Sequence, residues 1–240
     1  MEKKQLDTIL LREGERFSVY LESYENGHKE ILKVINPECL EDLEKYKKIL
    51  RQFNIEKKIL RDMNIENIPK YIDDGRNYLN MSYIRGKDLN KLVKTRTLSF
   101  YDKIHIMSNL FFILRKIHDN NIIHCDIKPS NIIWGINNEI HIIDFGSATR
   151  RGESSVYIQG SDGFSPPETY KLREKKDYAN DIYSLVAVAY WLKYQEKYSL
   201  DRNFYEFDHF LMQGLEKNPK KRFGSLNEIL EIIKNKNHVN

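Results

Sequence analysis

The stretch from Asp181 to Leu192 most constrains the fold, because nearly every residue in it is apolar. A helix that is apolar on all sides must be surrounded by other elements, so this stretch predicts a helix at the centre of a core. Its longest nearly unbroken apolar part, Leu185 to Leu192, is much shorter than the roughly 20 residues that cross a bilayer. We therefore expect a helix-rich globular unit and no membrane span.

The first quarter of the chain has a pattern typical of strands. Apolar residues alternate from Phe17 to Leu21, and Glu25-Asn26-Gly27 offers the residue types of a tight hairpin turn. The return strand, over residues 28–35, would place Ile31, Lys33 and Ile35 on one face. A further strand is expected over residues 78–84.

Helix signals follow the hairpin and dominate the second half of the chain. Asn36-Pro37-Glu38 has the residue types of an N-cap, a first-turn proline and an acidic first turn, and it predicts a long helix towards Met63, broken at most once. Capping-box spacings at Ser99/Asp102 and Ser225/Glu228 predict two more helix starts. Short strands are expected at residues 122–123 and 139–143, on either side of the segment that carries the chemistry.

These patterns predict an α+β fold of two lobes in a single domain over residues 1–240. The small β-rich lobe, residues 1–84, has one main helix, and the larger α-rich lobe covers residues 89–240. A connector over residues 82–88, which contains Gly86-Lys87-Asp88, is the candidate boundary between the lobes.

Charge and cysteine content exclude several function classes. The chain has 39 Lys and Arg against 35 Asp and Glu, and a net charge of +4 gives no reason to expect nucleic acid as a partner. Two cysteines, Cys39 and Cys125, form neither a disulfide framework nor a zinc spacing. The basic residues after Met1 have no apolar segment behind them, so no signal peptide is expected. A reducing, cytoplasmic compartment fits these features.

The segment His124-Cys125-Asp126-Ile127-Lys128-Pro129-Ser130-Asn131 carries the strongest chemical signal. Asp144-Phe145-Gly146 follows it, with Asp144 lying 18 residues after Asp126. Phosphoryl transfer requires a carboxylate that orients a hydroxyl group, oxygen ligands for Mg²⁺ and a cation beside the transferred phosphate. Asp126, Asn131, Asp144 and Lys128 are residues of those types.

The sequence therefore resembles the eukaryotic-like serine/threonine protein kinases, over roughly residues 11–222. The resemblance implies ATP and Mg²⁺ (or Mn²⁺) as cofactors and proteins as substrates. It assigns the catalytic base to Asp126, a contact with the γ-phosphate to Lys128, and the metal to Asn131 and Asp144. The catalytic loop departs from the family pattern at Cys125, where an arginine is usual.

The predicted long helix has a carboxylate in the middle of its apolar stripe. Glu56 lies among Ile49, Phe53, Leu60 and Met63 at helical spacing, and a carboxylate on a packed face is costly unless it is paired. Lys33 is the obvious partner, and in the family such a pair positions the lysine on the α- and β-phosphates. The alternative is that a polar stripe simply begins at Glu56.

The remaining nucleotide contacts rest on the resemblance. Where the family has three glycines in its phosphate loop, this chain keeps only Gly14, with Arg12 and Phe17 at the other two places. The resemblance assigns further ATP contacts to the loop, the strands, the hinge and the segment after the catalytic loop: Val19, Ile31, Met81 as gatekeeper, Ser82, Ile84 and Ile133. The alternative for the residues around Gly14 is a plain β-hairpin, and the alternative for the residues around Met81 is a plain buried strand.

The segment from Asp144 to Glu168 resembles a kinase activation segment. The resemblance places the Ser161 hydroxyl near the catalytic base, pairs Glu168 with Arg222, and makes Asp181 a brace for the catalytic loop. The alternative to the ion pair is that Arg222 lies in a solvated basic turn. The alternative to the brace is that Asp181 is simply a favourable charge at a helix N-terminus.

Cys125 cannot bind a phosphate on the activation segment as the usual arginine does. The hypothesis is that activity does not require such phosphorylation; the candidate acceptors are Thr149, Ser154, Ser155, Tyr157 and Ser161. Two other functions stay open: a kinase-like phosphotransferase for small molecules, and a pseudokinase that acts as a binding scaffold. The oligomeric state does not follow from the sequence.

Overall fold

The structure is a computed structural model that describes residues 4–154, 160–171, 174–197 and 209–237. The chain forms two compact units that separate between Arg85 and Gly86. Among the described residues, no helix has both the length and the apolar character needed to span a bilayer.

The small unit is built on an antiparallel sheet of five strands in the order β1-β2-β3-β5-β4. Its strands are β1 (Gln5–Glu13), β2 (Phe17–Tyr24), β3 (Lys29–Ile35), β4 (Tyr71–Asp74) and β5 (Tyr78–Ser82). The strand predicted over residues 78–84 thus ends two residues early. The predicted hairpin joins β2 to β3, and Gly27 adopts the positive φ (77°) that its turn requires.

One long helix, α1 (Leu43–Asp62), accompanies the sheet. Asn36 is the N-cap of a short 3₁₀ turn (Pro37–Leu40) that has Pro37 and Glu38 in its first turn, as predicted, but the Asn36 side chain makes no capping bond and the long helix begins only after this turn. The cap of α1 is instead Asp42, which accepts a hydrogen bond from the Lys45 N–H at 3.0 Å. The buried face of α1 includes Ile49, Phe53, Glu56 and Leu60.

The large unit is mainly helical. Its described helices are α2 (Leu89–Leu92), α3 (Phe100–Asp119), α4 (Tyr178–Tyr194), α5 (His209–Gly214) and α6 (Leu226–Asn237). The capping box at Ser99/Asp102 is present, and the Glu228 N–H donates to the Ser225 hydroxyl at 3.2 Å before α6. The helix predicted from Asp181 is α4, which is buried on nearly all sides and forms the centre of the unit.

Short strands complete the large unit. They are β6 (Gly86–Asp88), β7 (Ile122–Ile123), β8 (Ile132–Gly135), β9 (Ile140–Ile142) and β10 (Thr149–Arg150). Within the predicted connector, Gly86-Lys87-Asp88 form β6, which pairs with β8. A β-rich small lobe and a helical large lobe confirm the predicted fold class.

Candidate active site

The catalytic-loop motif lies between β7 and β8. The Lys128 ammonium donates to Asp126 Oδ2 at 2.7 Å and to the Ser161 hydroxyl at 2.8 Å, and that hydroxyl donates to Asp126 Oδ1 at 2.7 Å. Carboxylate, ammonium and hydroxyl thus form a closed triangle of hydrogen bonds. Both charged side chains remain partly open to solvent.

Asn131 stabilises this arrangement from the end of the loop. Its Nδ2 donates to the Asp126 carbonyl at 2.9 Å and to Asp126 Oδ2 at 3.0 Å. In this orientation the amide nitrogen makes both bonds, and the amide oxygen Oδ1 takes part in neither. The Asn131 carbonyl accepts the N–H of Ile143 at 2.9 Å, which connects the loop to the residue just before Asp144.

Asp144 has a left-handed backbone conformation (φ 65°), which is uncommon for a residue other than glycine. Its carboxylate accepts the Gly146 N–H at 3.4 Å. Asn131 and Asp144 offer the oxygen ligands that Mg²⁺ prefers, and one or two protein ligands suffice when a nucleotide supplies the rest. In the described ranges, no group of three or more His, Cys, Asp or Glu could hold a metal ion.

Asp181, at the start of α4, holds the backbone of the catalytic loop. Fully buried, its carboxylate accepts the N–H groups of His124 at 2.7 Å and Cys125 at 2.8 Å, and it bonds His118 Nε2 at 3.0 Å. Burial would raise the pKa of Asp181, but the bond and charge of His118 outweigh burial and lower it. Its carboxylate therefore stabilises the fold at neutral pH, and this contribution falls as pH drops towards the lowered pKa.

The two residues before Asp126 are buried and unreactive. Burial lowers the pKa of His124, so its ring is neutral, and the ring Nδ1 accepts the Asp126 N–H at 3.3 Å. Burial raises the pKa of the Cys125 thiol well above its ordinary value, which disfavours a reactive thiolate. Both residues therefore shape the loop around Asp126 rather than transfer protons or electrons.

In the small unit, Lys33 on β3 and Glu56 on α1 form a buried ion pair. The ammonium lies 2.8 Å from both carboxylate oxygens, and the two side chains are 9% and 1% exposed. The Phe17 ring lies 4.9 Å from Lys33 Nζ and 5.0 Å from the Phe53 ring. Phe17, at one of the missing glycine positions, thus packs against the lysine.

The loop around Gly14 is held by the side chain of Asn36, the residue that follows β3. Asn36 donates from Nδ2 to the Gly14 carbonyl at 2.5 Å and accepts the Ser18 hydroxyl at 2.7 Å. Within the loop, the Gly14 N–H donates to the Phe17 carbonyl at 3.0 Å. These bonds fix the loop that has lost two glycines. This role of Asn36 does not follow from the sequence, because its partners lie far from it in the chain.

The other predicted nucleotide contacts lie in strands, except Ile84, which follows β5. Met81 is buried on β5, and the Ser82 N–H already donates to the Lys70 carbonyl at 2.9 Å. The remaining four are all partly exposed: Val19, Ile31, Ile84 and Ile133. Val19 pairs directly with Lys33 across β2 and β3, while Ile133 belongs to β8 of the large unit.

Glu168 and Arg222 form a buried, bidentate ion pair. Arg222 donates to Glu168 Oε1 at 2.5 Å and to Oε2 at 2.9 Å, and its Nε donates to the Glu216 carbonyl at 2.7 Å. Asn180 on α4 donates to Glu168 at 3.1 Å. The pair thus joins the end of the activation segment to α4 and to the turn before α6.

Replacing Arg222 with Gln should destabilise the large unit, because Glu168 would stay buried without its cation. Removing one partner of a buried pair costs about 3–5 kcal/mol. Arg151→Gln is the matched control, since Arg151 pairs with Asp177 where both side chains are about half exposed, and such pairs contribute about 0–1 kcal/mol. Urea unfolding measures both variants, and equal losses of unfolding free energy would contradict the assignment.

The comparisons agree with this geometry. The protein kinase domain family matches residues 11–212. A probable serine/threonine-protein kinase of Clostridium acetobutylicum is 30% identical and covers 87% of this chain. Calcium-dependent protein kinase 5 of Plasmodium falciparum is 31% identical over 71%, and serine/threonine-protein kinase F of a Synechocystis species is 28% identical over 69%. The matches cover 36%, 30% and 39% of those relatives, so the chain spans about a third of their length.

The chain belongs to the protein kinase family.

Proposed function

We propose that this chain is a serine/threonine protein kinase that transfers the γ-phosphate of ATP to protein hydroxyl groups. The observation that carries the proposal is the triangle of Asp126, Lys128 and Ser161. There a serine hydroxyl already lies within hydrogen-bond distance of both a carboxylate and an ammonium. An acceptor serine or threonine requires the same two partners.

In the proposed reaction, Asp126 orients the acceptor hydroxyl and takes its proton. The hydroxyl oxygen forms a bond to the γ-phosphorus, the bond from that phosphorus to the bridging oxygen breaks, and ADP leaves. Lys128 donates to Asp126 and Ser161, and its third N–H is available for the transferred phosphate. Because transfer needs little covalent help, this positioning and charge stabilisation supply most of the catalysis.

The nucleotide and the metal are assigned to the residues described above. The Lys33 ammonium, oriented by Glu56, would bind the α- and β-phosphates, and Val19, Ile31, Met81, Ser82, Ile84 and Ile133 would contact adenine and ribose. Asn131 and Asp144 would hold Mg²⁺, which neutralises charge on the phosphates when it is bound.

Label transfer from ATP·Mg²⁺ to a general protein substrate tests the proposal against its alternatives. Incorporation of the label into protein supports a protein kinase, provided that the Asp126→Ala variant no longer incorporates it. Incorporation only into a small acceptor such as choline or an aminoglycoside would identify a small-molecule phosphotransferase. A binding scaffold is favoured instead by nucleotide binding without any transfer. The intact set of Lys33, Glu56, Asp126, Asn131 and Asp144 argues against the scaffold.

The proposal includes activity without phosphorylation of the activation segment. Backbone hydrogen bonds of 2.9 Å join Gly152 and Glu153 to Lys176, and Arg151 pairs with Asp177. These contacts, all between unmodified residues, hold the described start of the segment. Cys125 lies where a phosphate-binding arginine is usual. Ser155 and Tyr157, two of the predicted acceptors, lie outside the described residues.

A triple variant tests this part: Ser154→Ala, Ser155→Ala and Tyr157→Phe. Thr149 is left unchanged because it is 1% exposed in β10, and Ser161 because its hydroxyl bonds Asp126. We expect kcat/KM on a protein substrate to stay within about tenfold of the unmodified protein, or 1.4 kcal/mol of barrier. A larger loss in a folded variant would show that a modified hydroxyl is required.

A cytoplasmic location is also part of the proposal. Both cysteines, Cys39 and Cys125, are buried free thiols, as expected in a reducing compartment that supplies ATP.

A further inference from the structure

The three most exposed large apolar side chains among the described residues all belong to the large unit. Tyr101 is 83% exposed, Phe100 71% and Ile136 64%. Phe100 and Tyr101 begin α3, and Ile104, one turn further along the helix, is 53% exposed. Single exposed apolar residues are ordinary, whereas a group of large ones indicates a contact surface.

Contacts around Trp134 of β8 bring these side chains together. The Arg96 guanidinium lies 4.8 Å from the centre of the Trp134 ring, and the His105 ring on α3 lies 5.4 Å from it. His105 also donates from Nε2 to the Asn138 carbonyl at 2.7 Å, which holds the turn that carries Ile136 against α3. The exposed apolar residues of α3 and of this turn thus belong to one surface.

The segment that leads into α3 adds positive charge to the same surface. Lys87 pairs with Trp134 across β6 and β8. The side chains of Lys91 and Arg96 are 79% and 46% exposed. Nine residues define what we call the basic apolar surface: Lys87, Lys91, Lys94, Arg96, Phe100, Tyr101, Lys103, Ile104 and Ile136.

Carboxylates of the same segments do not cancel this charge. Residues 86–105 and 132–139 contain five Lys and Arg against three Asp and Glu. Asp88 and Asp102 are only 15% and 22% exposed, because each caps a helix and lies beside a cation of the surface. Glu139 is about half exposed and lies 3.7 Å from the His141 ring. The exposed side chains of the surface are therefore mainly cationic or apolar.

This composition favours a lipid surface over a protein partner. Four of the five cations are lysines, and lysine is depleted in interfaces between proteins. An anionic bilayer attracts exposed lysines by charge alone, and aromatic rings are favoured at the level of its headgroups. The exposed rings of Phe100 and Tyr101 beside the lysines match both properties.

We propose that the basic apolar surface binds the headgroup layer of a bilayer that contains anionic lipids. Phe100, Tyr101 and Ile104 enter the layer, and the lysines lie beside the lipid phosphates. With few apolar side chains inserted and no spanning segment, the binding is reversible and sensitive to salt. It requires no nucleotide, so it is measured independently of the proposed kinase activity.

Sedimentation of the whole chain with two kinds of vesicle tests the proposal. One kind is pure phosphatidylcholine, and the other has equal parts of phosphatidylcholine and phosphatidylglycerol. The chain should bind the mixed vesicles, bind the neutral ones at least about tenfold more weakly, and dissociate as salt is raised. Equal binding to both kinds would overturn the role of the cations.

The charge of the surface is tested by Lys91→Gln combined with Lys94→Gln. The double variant should bind mixed vesicles at least about tenfold more weakly. Lys47→Gln combined with Lys48→Gln is the matched control, since these two lysines are exposed on α1 of the small unit. Equal losses in the two double variants would show attraction to the whole chain and would overturn the surface.

The apolar part is tested by Phe100→Gln combined with Tyr101→Gln. Binding should again fall at least about tenfold, because two rings no longer enter the layer. Leu43→Gln is the control, since Leu43 is 61% exposed at the start of α1, and it should have little effect. Unaltered binding by the aromatic variant would overturn the insertion.

Poly-glutamate is the probe for an acidic protein partner. Weaker binding to poly-glutamate than to mixed vesicles, with only the vesicle binding dependent on Phe100 and Tyr101, supports the lipid surface. Binding to poly-glutamate by a chain that ignores mixed vesicles would overturn the proposal in favour of an acidic protein. No binding of mixed vesicles by the folded chain at low salt would overturn it as well.

Discussion

Asp126→Asn should lower kcat for transfer to protein by about 10²–10⁴-fold, the usual contribution of a general base. The amide keeps the size of the carboxylate but cannot take the proton of the acceptor hydroxyl. Steady-state kinetics with saturating ATP and Mg²⁺ measure the change. Because the substitution leaves the nucleotide contacts of the small unit in place, KM for ATP should change little.

Asp73→Asn serves as the matched control for this prediction. Asp73 is exposed on β4 of the small unit, and its substitution should leave kcat unchanged. An Asp126→Asn variant that folds and retains most of its turnover would remove Asp126 from the catalytic role, whatever the remaining geometry suggests.

Asp144→Asn should produce a loss of similar size for a different reason. The substitution removes a charged oxygen ligand of Mg²⁺, and a metal contributes several kcal/mol of charge stabilisation in the transition state, so we expect a decrease of about 10³-fold. The hydrogen bond from Gly146 to the side-chain oxygen can persist, and the fold should remain. Turnover measured across a Mg²⁺ titration reports the effect.

The metal titration separates this prediction from the first. Asp126→Asn should keep the Mg²⁺ dependence of the residual activity, whereas Asp144→Asn should shift it to higher concentration. Normal turnover of Asp144→Asn at saturating Mg²⁺ would reject its assignment as a metal ligand.

The sequence predicted elements whose signals are local. Helix α4 follows from a run of apolar residues, and the start of α3 follows from the Ser99/Asp102 spacing. Glu56 within an apolar stripe indicated a buried partner, because a lone carboxylate there would be too costly. In each case a few neighbouring residues suffice, since the physical reason acts within one element.

Features that depend on distant or backbone partners did not follow from the sequence. Strand β1 is exposed along its whole length, so it lacks the alternation of a half-buried strand. Strand β6 consists of Gly86-Lys87-Asp88, residue types that are depleted in strands, and only pairing with β8 defines it. The side-chain bonds of Asn36 to Gly14 and Ser18 did not follow from the sequence, because both partners are reached only in the folded sheet.

The candidate site also contains residues that the sequence predicts and residues that it does not. The motif around Asp126 is compact in sequence, and its residues were found from their types and spacing. The contribution of His118 was missed, because it bonds Asp181 across 63 positions of the chain and occupies an ordinary position on a helix. No local pattern separates such a histidine from one that is simply packed in a core.

The most direct test of the account is mass spectrometry of a protein substrate after incubation with ATP·Mg²⁺. We predict phosphate on serine or threonine side chains after incubation with the unmodified chain, and none above background with Asp126→Asn. Equal phosphorylation by the two proteins, or none by a folded chain that binds ATP, would contradict the claim that Asp126 directs transfer to protein hydroxyls.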